Sequence, residues 1–176
     1  RFYAKPRLVH HLDETARDIV ADVYKRFVKD GMNVLDLMSS WVSHLPPQVK
    51  PAEVSGLGMN LTELEQNPVL TDIQVHDLNS APILPYASEH FDVALCTVSV
   101  EYLTQPLPVF TEVARVLKPG GVFVVTFSNR WFPPKAVRIW EQLHEFERMG
   151  LVTEYFLRSC AFEALGTYSM RGLPRP

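Results

Sequence analysis

Along the chain, short apolar runs alternate with stretches whose apolar residues recur every three or four positions. Val34-Leu35-Asp36-Leu37 is the most compact run. Too short for a helix, and bounded by Gly31 before and serines after, it predicts a strand over Met32–Leu37 buried on both faces. Comparable runs predict strands over Glu53–Leu57, Ile73–His76, Phe91–Cys96 and Val122–Phe127. Before the first strand, Ile19, Val20, Val23 and Phe27 make a helical face that starts after an N-cap at Asp13 and stops at Gly31. Asn60 and Glu63 predict a capped helix to about Gln66, ended by Pro68. Val109, Val113, Val116 and Leu117 carry a further helical stripe, closed by Lys118-Pro119-Gly120-Gly121. Pro46, Pro47 and Pro51 forbid a long helix after the first strand, so the connection there is short or irregular.

Strands alternating with helices in this way predict an α/β domain with a doubly wound, mostly parallel sheet and helices on both faces. Beyond the fifth strand, Pro133 and Pro134 open a helix with Val137, Trp140 and Leu143 inward, ending near Gly150. A further helix is expected over Val152–Arg158 and a sixth strand over Phe162–Tyr168. At the other end, Arg1–Leu12 is aromatic and basic, with Pro6 against helix, and reads as an extended arm lying over the domain. The chain is thus expected to be one domain: an arm at 1–12, a core at 13–130, and C-terminal helices with a strand at 131–176. The tail Arg171–Pro176 reads as cut short, and Arg1 as a start inside a longer chain.

Composition narrows the function classes. Hydrophobic residues at 47% and charged residues at 21% are ordinary globular values, and a net charge of −3 gives no case for nucleic acid or an anionic membrane. No apolar run approaches the roughly 20 residues that span a bilayer. The expectation is a soluble cytoplasmic protein, or an organellar one if a transit peptide has been removed. Cys96 and Cys160 read as free thiols of a reducing compartment, and Cys96, inside an apolar strand, is a poor nucleophile. His10 and His11 would point opposite ways in an extended arm, and no Cys or His spacing fits a zinc site, so no metal is expected. The pattern leaves the oligomeric state open.

In an open parallel sheet, ligands bind outside the carboxyl ends of the strands, which singles out Asp36 and the Met38–Trp41 turn. At this point the residues show a resemblance. Val34-Leu35-Asp36-Leu37, Phe91-Asp92-Val93 and the decapeptide Glu112-Val113-Ala114-Arg115-Val116-Leu117-Lys118-Pro119-Gly120-Gly121 resemble the class I S-adenosylmethionine-dependent methyltransferases of the type 11 branch, over roughly residues 30 to 130. The resemblance implies a seven-stranded, mostly parallel sheet and 13–130 as the cofactor-binding core. It also implies S-adenosylmethionine as cofactor, S-adenosylhomocysteine as product and a small-molecule methyl acceptor.

Carried over residue by residue, Asp36 matches the acid that ends the first strand. Met38, Ser39, Ser40 and Trp41 stand where the family has a glycine-rich turn, and Trp41 either packs outward or partly fills the cleft. Gly58 stands where the family has the acid that grips the ribose hydroxyls, flanked by Met59 and by Asn60, which could supply one acceptor. Asp77 matches the adenine partner, with Leu78 beside it, and Thr97 begins the segment facing the reactive methyl group. Candidate bases for the acceptor are Glu101, Tyr102, His10 and His11. Arg1–Leu12, Thr97–Gln105 and Ser128–Lys135 are the substrate-facing segments, and their aromatic and basic residues suggest an acidic or aromatic small molecule. Trp131, just after the fifth strand, is one to watch there. The missing glycines and ribose acid leave an alternative open: a methyltransferase-like domain with weakened or lost cofactor binding, serving as a binding or regulatory module. A nicotinamide-dependent dehydrogenase is disfavoured, because the chain lacks a Gly-x-Gly-x-x-Gly turn.

Overall fold

The computed structural model describes residues 6–170. The elements run α1 (Glu14–Phe27), β1 (Asn33–Leu37), β2 (Glu53–Gly58), α2 (Leu61–Glu65), β3 (Asp72–Val75), β4 (Phe91–Thr97), α3 (Pro106–Val116), β5 (Leu117–Thr126), α4 (Arg138–Gln142) and α5 (Glu145–Ser159), with a 3-10 turn at Val100–Tyr102 after β4. The five strands form one sheet in the order β3-β2-β1-β4-β5, every neighbouring pair parallel. This is the doubly wound architecture that the alternation of patterns predicts, with β1 in the middle. The described residues supply five strands, not the seven that the resemblance implies.

Side-chain alternation along each strand divides the core between the two faces of the sheet. Leu35, Leu37, Ala94, Cys96 and Phe123 pack with Phe110, Val113 and Val152 of α3 and α5. Val34, Val93, Leu95 and Val124 pack with Val20 and Tyr24 of α1. The inward face of α1 is therefore Val20 and Tyr24; Phe27, expected inward, is 38% exposed. Asp13 caps this helix, its carboxylate accepting from the Ala16 N–H at 2.9 Å.

The connection from β1 to β2 contains no helix, as its three prolines require. At the other edge, β5 begins at Leu117 directly after α3, five residues earlier than the apolar run suggests. Phe91 pairs with Leu117 and Val93 with Val122, so Lys118–Gly121 is accommodated as a bulge in the strand, with Gly120 at φ +78. Glu112 and Arg115 of the same decapeptide hold the β3–β4 loop: Arg115 donates to the Leu84 and Tyr86 carbonyls at 3.0 Å each, and Glu112 accepts from the Leu84 N–H at 2.9 Å.

The C-terminal part departs from expectation. The single helix opening at Pro133 is instead a short α4 and a separate α5 that absorbs the helix expected over Val152–Arg158, because His144 and Glu147 form a new N-terminal cap, His144 N–H donating to Glu147 Oε2 at 2.7 Å. Phe162–Tyr168 is not a strand; residues 161–170 have no regular structure, and Phe162 packs on Phe123 and Phe156 instead of joining the sheet. Residues 1–5 of the expected arm and the tail 171–176 lie outside the described residues.

Candidate functional site

Strand register brings the site together. Leu37 is paired with Leu57 on one side and with Cys96 on the other, and Gly58 is paired with Val75. The next residues, Met38, Thr97 and His76-Asp77, therefore emerge beside Gly58 at the carboxyl end of the sheet. There they open on a cavity of about 410 Å³, in the range of small-molecule sites. Asp36, Met38, Ser39 and Ser40 line it from β1 and its turn; Gly58, Met59 and Asn60 from β2; Asp77 and Leu78 from β3; and Thr97 from β4. All ten positions expected to contact cofactor thus share one hollow with His10, His11 and Tyr102. Glu101 does not line it: its side chain is buried, 1% exposed, with Oε2 unpartnered. Burial pushes the Glu101 carboxyl up to about 7, partly offset by hydrogen bonding from Tyr102 and by Arg148. Trp131 lines the cavity, and the Arg148 guanidinium lies 3.9 Å from its ring centroid.

The serine turn explains how the site dispenses with glycines. Ser39 Oγ and Ser43 Oγ both donate to Asp36 Oδ2 at 2.6 Å, and Asn67 donates to Ser43 Oγ at 2.8 Å and to the Ser40 carbonyl at 2.9 Å. Burial pushes the Asp36 carboxyl up to about 6, and the two hydroxyl donors draw it part of the way back. The turn still needs the left-handed conformation glycine would give freely: Met38 has φ +57, and Val98, in the matching place after β4, has φ +42. With His44, at φ +53, three cavity-lining residues are held off their preferred region, a form of strain that concentrates at functional sites.

Gly58 and the serine turn are one feature. The Ser39 N–H donates to the Leu57 carbonyl at 2.7 Å, drawing the turn against the end of β2. A Cβ on residue 58 would lie 2.3 Å from the Ser39 carbonyl oxygen. No acid can stand at 58 while the turn is folded this way, which is the physical reason for its absence.

A nearby carboxylate does face the cavity. Glu63, in the first turn of α2, accepts from Ser40 Oγ at 2.7 Å and from the Arg7 N–H at 2.8 Å. Asn60 caps the helix, accepting from the Glu63 N–H at 3.2 Å. Sequence reasoning gave Glu63 only a capping role. Asp77 lines the cavity while its carboxylate accepts from the Asn79 N–H at 3.0 Å and Ser80 Oγ at 2.9 Å, so it also holds its own loop. The floor below Thr97 is set by Tyr24, whose buried hydroxyl bonds to Thr97 Oγ1 and, at 3.3 Å, to Thr126 Oγ1.

The arm closes the other side. Trp41 packs at the cavity edge, its ring 4.6 Å from that of His10 and its Nε1 donating to the Val9 carbonyl at 3.2 Å. His11 stands edge-on to Phe132 at 5.3 Å, and the Arg7 guanidinium lies 5.7 Å from the same ring. Partial burial holds His11 below its ordinary value, opposed by Glu63 and assisted by Arg7 and His10. Tyr102 Oη accepts from the Phe132 N–H at 3.1 Å, tying the β4 end to the segment after β5.

The donor set suits an adenosyl cofactor: a buried acid and hydroxyls at the β1 end, a carboxylate at the start of α2, an acid at the β3 end, and apolar walls from Leu57, Met59 and Leu78. Comparisons with known proteins agree. Residues 47–125 match the family described as Methyltransferase domain. A ubiquinone biosynthesis O-methyltransferase of Cereibacter sphaeroides is 27% identical over 132 residues, 70% of this chain and 52% of that protein, so the chain spans about half the length of the curated relatives it matches. A SAM-dependent methyltransferase of Aquifex aeolicus superposes with a TM-score of 0.54 at 19% identity, covering 81% of this chain and 87% of that one. A chain of the structure described as "Complex between the Haloferax volcanii Trm112 methyltransferase activator and the putative methyltransferase" gives 0.56 at 18% identity, covering 83% and 72%. At such identities these likenesses speak for the fold.

Proposed function

We propose that the chain is a class I S-adenosylmethionine-dependent methyltransferase, a reading supported by its match to the family described as Methyltransferase domain over residues 47–125, and that it catalyses methyl transfer to a small aromatic or acidic molecule. The observation that carries this reading is the convergence of Asp36 and Asp77 on one cavity at the carboxyl ends of β1 and β3. Asp36, Met38 and Ser39 would hold the amino-acid end of the cofactor, and Asp77 with Leu78 the base. When bound, S-adenosylmethionine supplies a methyl group already activated by its positive sulfur.

The remaining work falls to this chain's residues: to orient the acceptor, exclude water and take up its proton. The acceptor end of the cavity is lined by Arg7, His10, His11 and Arg130 together with Tyr102, Trp131 and Phe132. Such a wall suits a flat or anionic molecule. The relative named for O-methylation in ubiquinone biosynthesis makes an aromatic hydroxyl the acceptor we favour. His11 is the base in this reading. Held below its ordinary value by burial, it is neutral at pH 7 and able to accept the hydroxyl proton. Glu101 is not, because its carboxyl lies in the core away from the cavity. Tyr102 positions the segment after β5. Two free thiols support a reducing compartment, and we assign the protein to the cytoplasm or an organelle interior. Isothermal titration of the chain with S-adenosylhomocysteine tests the reading: saturable one-to-one binding is expected, and no heat at millimolar ligand would overturn it.

A further inference from the structure

We propose that Glu63 is the acceptor for a vicinal diol in this site, and that a nucleoside displaces the arm's Arg7 N–H and the Ser40 hydroxyl from it. The inference rests on the methyltransferase reading above and names the residue by which the cavity grips the sugar.

Three observations support it. The end of β2 offers no side chain, and none can be added there, because residue 58 is pressed against the Ser39 carbonyl at 2.3 Å from any Cβ. The carboxylate that reaches the cavity from the next element is Glu63, on the first turn of a helix capped by Asn60. Each of its oxygens already accepts one hydrogen bond, Oε1 from an amide N–H at 2.8 Å and Oε2 from a hydroxyl at 2.7 Å. A carboxylate holding two separate donors in a fork is matched in shape and count by two adjacent hydroxyls. Ser40 can turn about one bond to release its donor, and Arg7 lies on the arm that packs at the cavity edge through Trp41 to Val9, His10 on Trp41, and His11 and Arg7 against Phe132. Filling the sugar position therefore frees the arm at Arg7, and the arm competes with the nucleoside for one carboxylate.

The test is a cycle on the whole chain. Wild type, Glu63→Gln and Ser40→Ala are titrated calorimetrically with S-adenosylhomocysteine and with its 2′-deoxy analogue. Removing one hydroxyl is expected to weaken binding to wild type ~10-fold, as for loss of a hydrogen bond to a charged group. Glu63→Gln should weaken the parent ligand by a similar factor and shrink the penalty for the deoxy analogue to within twofold. Ser40→Ala, which removes a competitor, should tighten the parent ligand severalfold. In parallel, S-adenosylhomocysteine should speed tryptic cleavage after Arg7 in wild type, and Glu63→Gln should be cut fast with or without ligand. An unchanged deoxy penalty in folded Glu63→Gln, or weaker binding in Ser40→Ala, overturns the proposal while leaving the methyltransferase reading intact. Wild type that binds neither ligand overturns both.

Discussion

Family logic suggests that an acid restored at position 58 should improve the site; the structure gives the opposite outcome. In Gly58→Asp the new Cβ starts 2.3 Å from the Ser39 carbonyl oxygen and 3.1 Å from Leu64 Cδ2. An ordinary carbon–oxygen approach is about 3.3 Å, so the two chains must separate by roughly 1 Å. Ser39 cannot yield easily, because its N–H is bonded to the Leu57 carbonyl at 2.7 Å and its hydroxyl to Asp36 at 2.6 Å. Overpacking of this kind costs about 1–3 kcal/mol, and weakening one of those bonds adds about 1 kcal/mol. A loss of about 3 kcal/mol would lower Tm by roughly 6–12 °C for a chain of this size. Differential scanning fluorimetry of Gly58→Ala and Gly58→Asp separates the steric effect from the charge: both should fall by similar amounts. Gly58→Ala melting within 2 °C of wild type, or Gly58→Asp binding S-adenosylhomocysteine more tightly, would refute the link between glycine and serine turn.

Other outcomes follow from the same geometry. The Asp36 carboxyl is raised to about 6, so the folded state holds this proton more tightly than the unfolded chain does; its contribution is most favourable below about pH 4 and is lost as pH rises through 6. Urea melts at pH 4 and 7 should show wild type losing roughly 3 kcal/mol relative to Asp36→Asn across that interval. With an aromatic hydroxyl acceptor, kcat/KM should rise with pH to a plateau with a midpoint below 6.5, as His11 sheds its proton, and His11→Ala should cost about 10²–10⁴-fold and flatten that limb; a full-rate variant would remove His11 as the base. Arg115→Ala strips the Leu84 and Tyr86 carbonyls of their donor, and denaturant melts should show a loss of about 2 kcal/mol.

What the chain reveals on reading, and what it hides, divides along physical lines. Strand β1, the caps at Asp13 and Asn60, and the helix-free passage through Pro46, Pro47 and Pro51 depend on local chemistry, and each is legible from a few adjacent residues. The Phe162–Tyr168 strand fails because an apolar run forms a strand only with a partner edge; here Phe162 finds aromatic rings instead. The break between α4 and α5 turns on a histidine cap, a weak signal inside a helical stripe. At the site, the residues of each strand end could be named, since parallel strands deliver their carboxyl ends together. Asn67, Ser43, Tyr24 and the cavity-facing role of Glu63 could not, because each acts through a contact across the fold: Asn67 on Ser43, Ser43 on Asp36, Tyr24 on Thr97, and Glu63 on the arm. The Ser39–Gly58 approach was half visible, as two departures from one pattern whose connection only the register discloses.

The claim beneath all of this is that the hollow above β1, β2 and β3 receives a nucleoside, and a crystal structure grown with S-adenosylhomocysteine addresses it directly. The account requires density for the ligand between the serine turn and Leu78, with the sugar beside Glu63 and the base beside Asp77. A well-ordered structure at saturating ligand with that hollow empty of nucleoside, or with the ligand bound elsewhere on the chain, would contradict it.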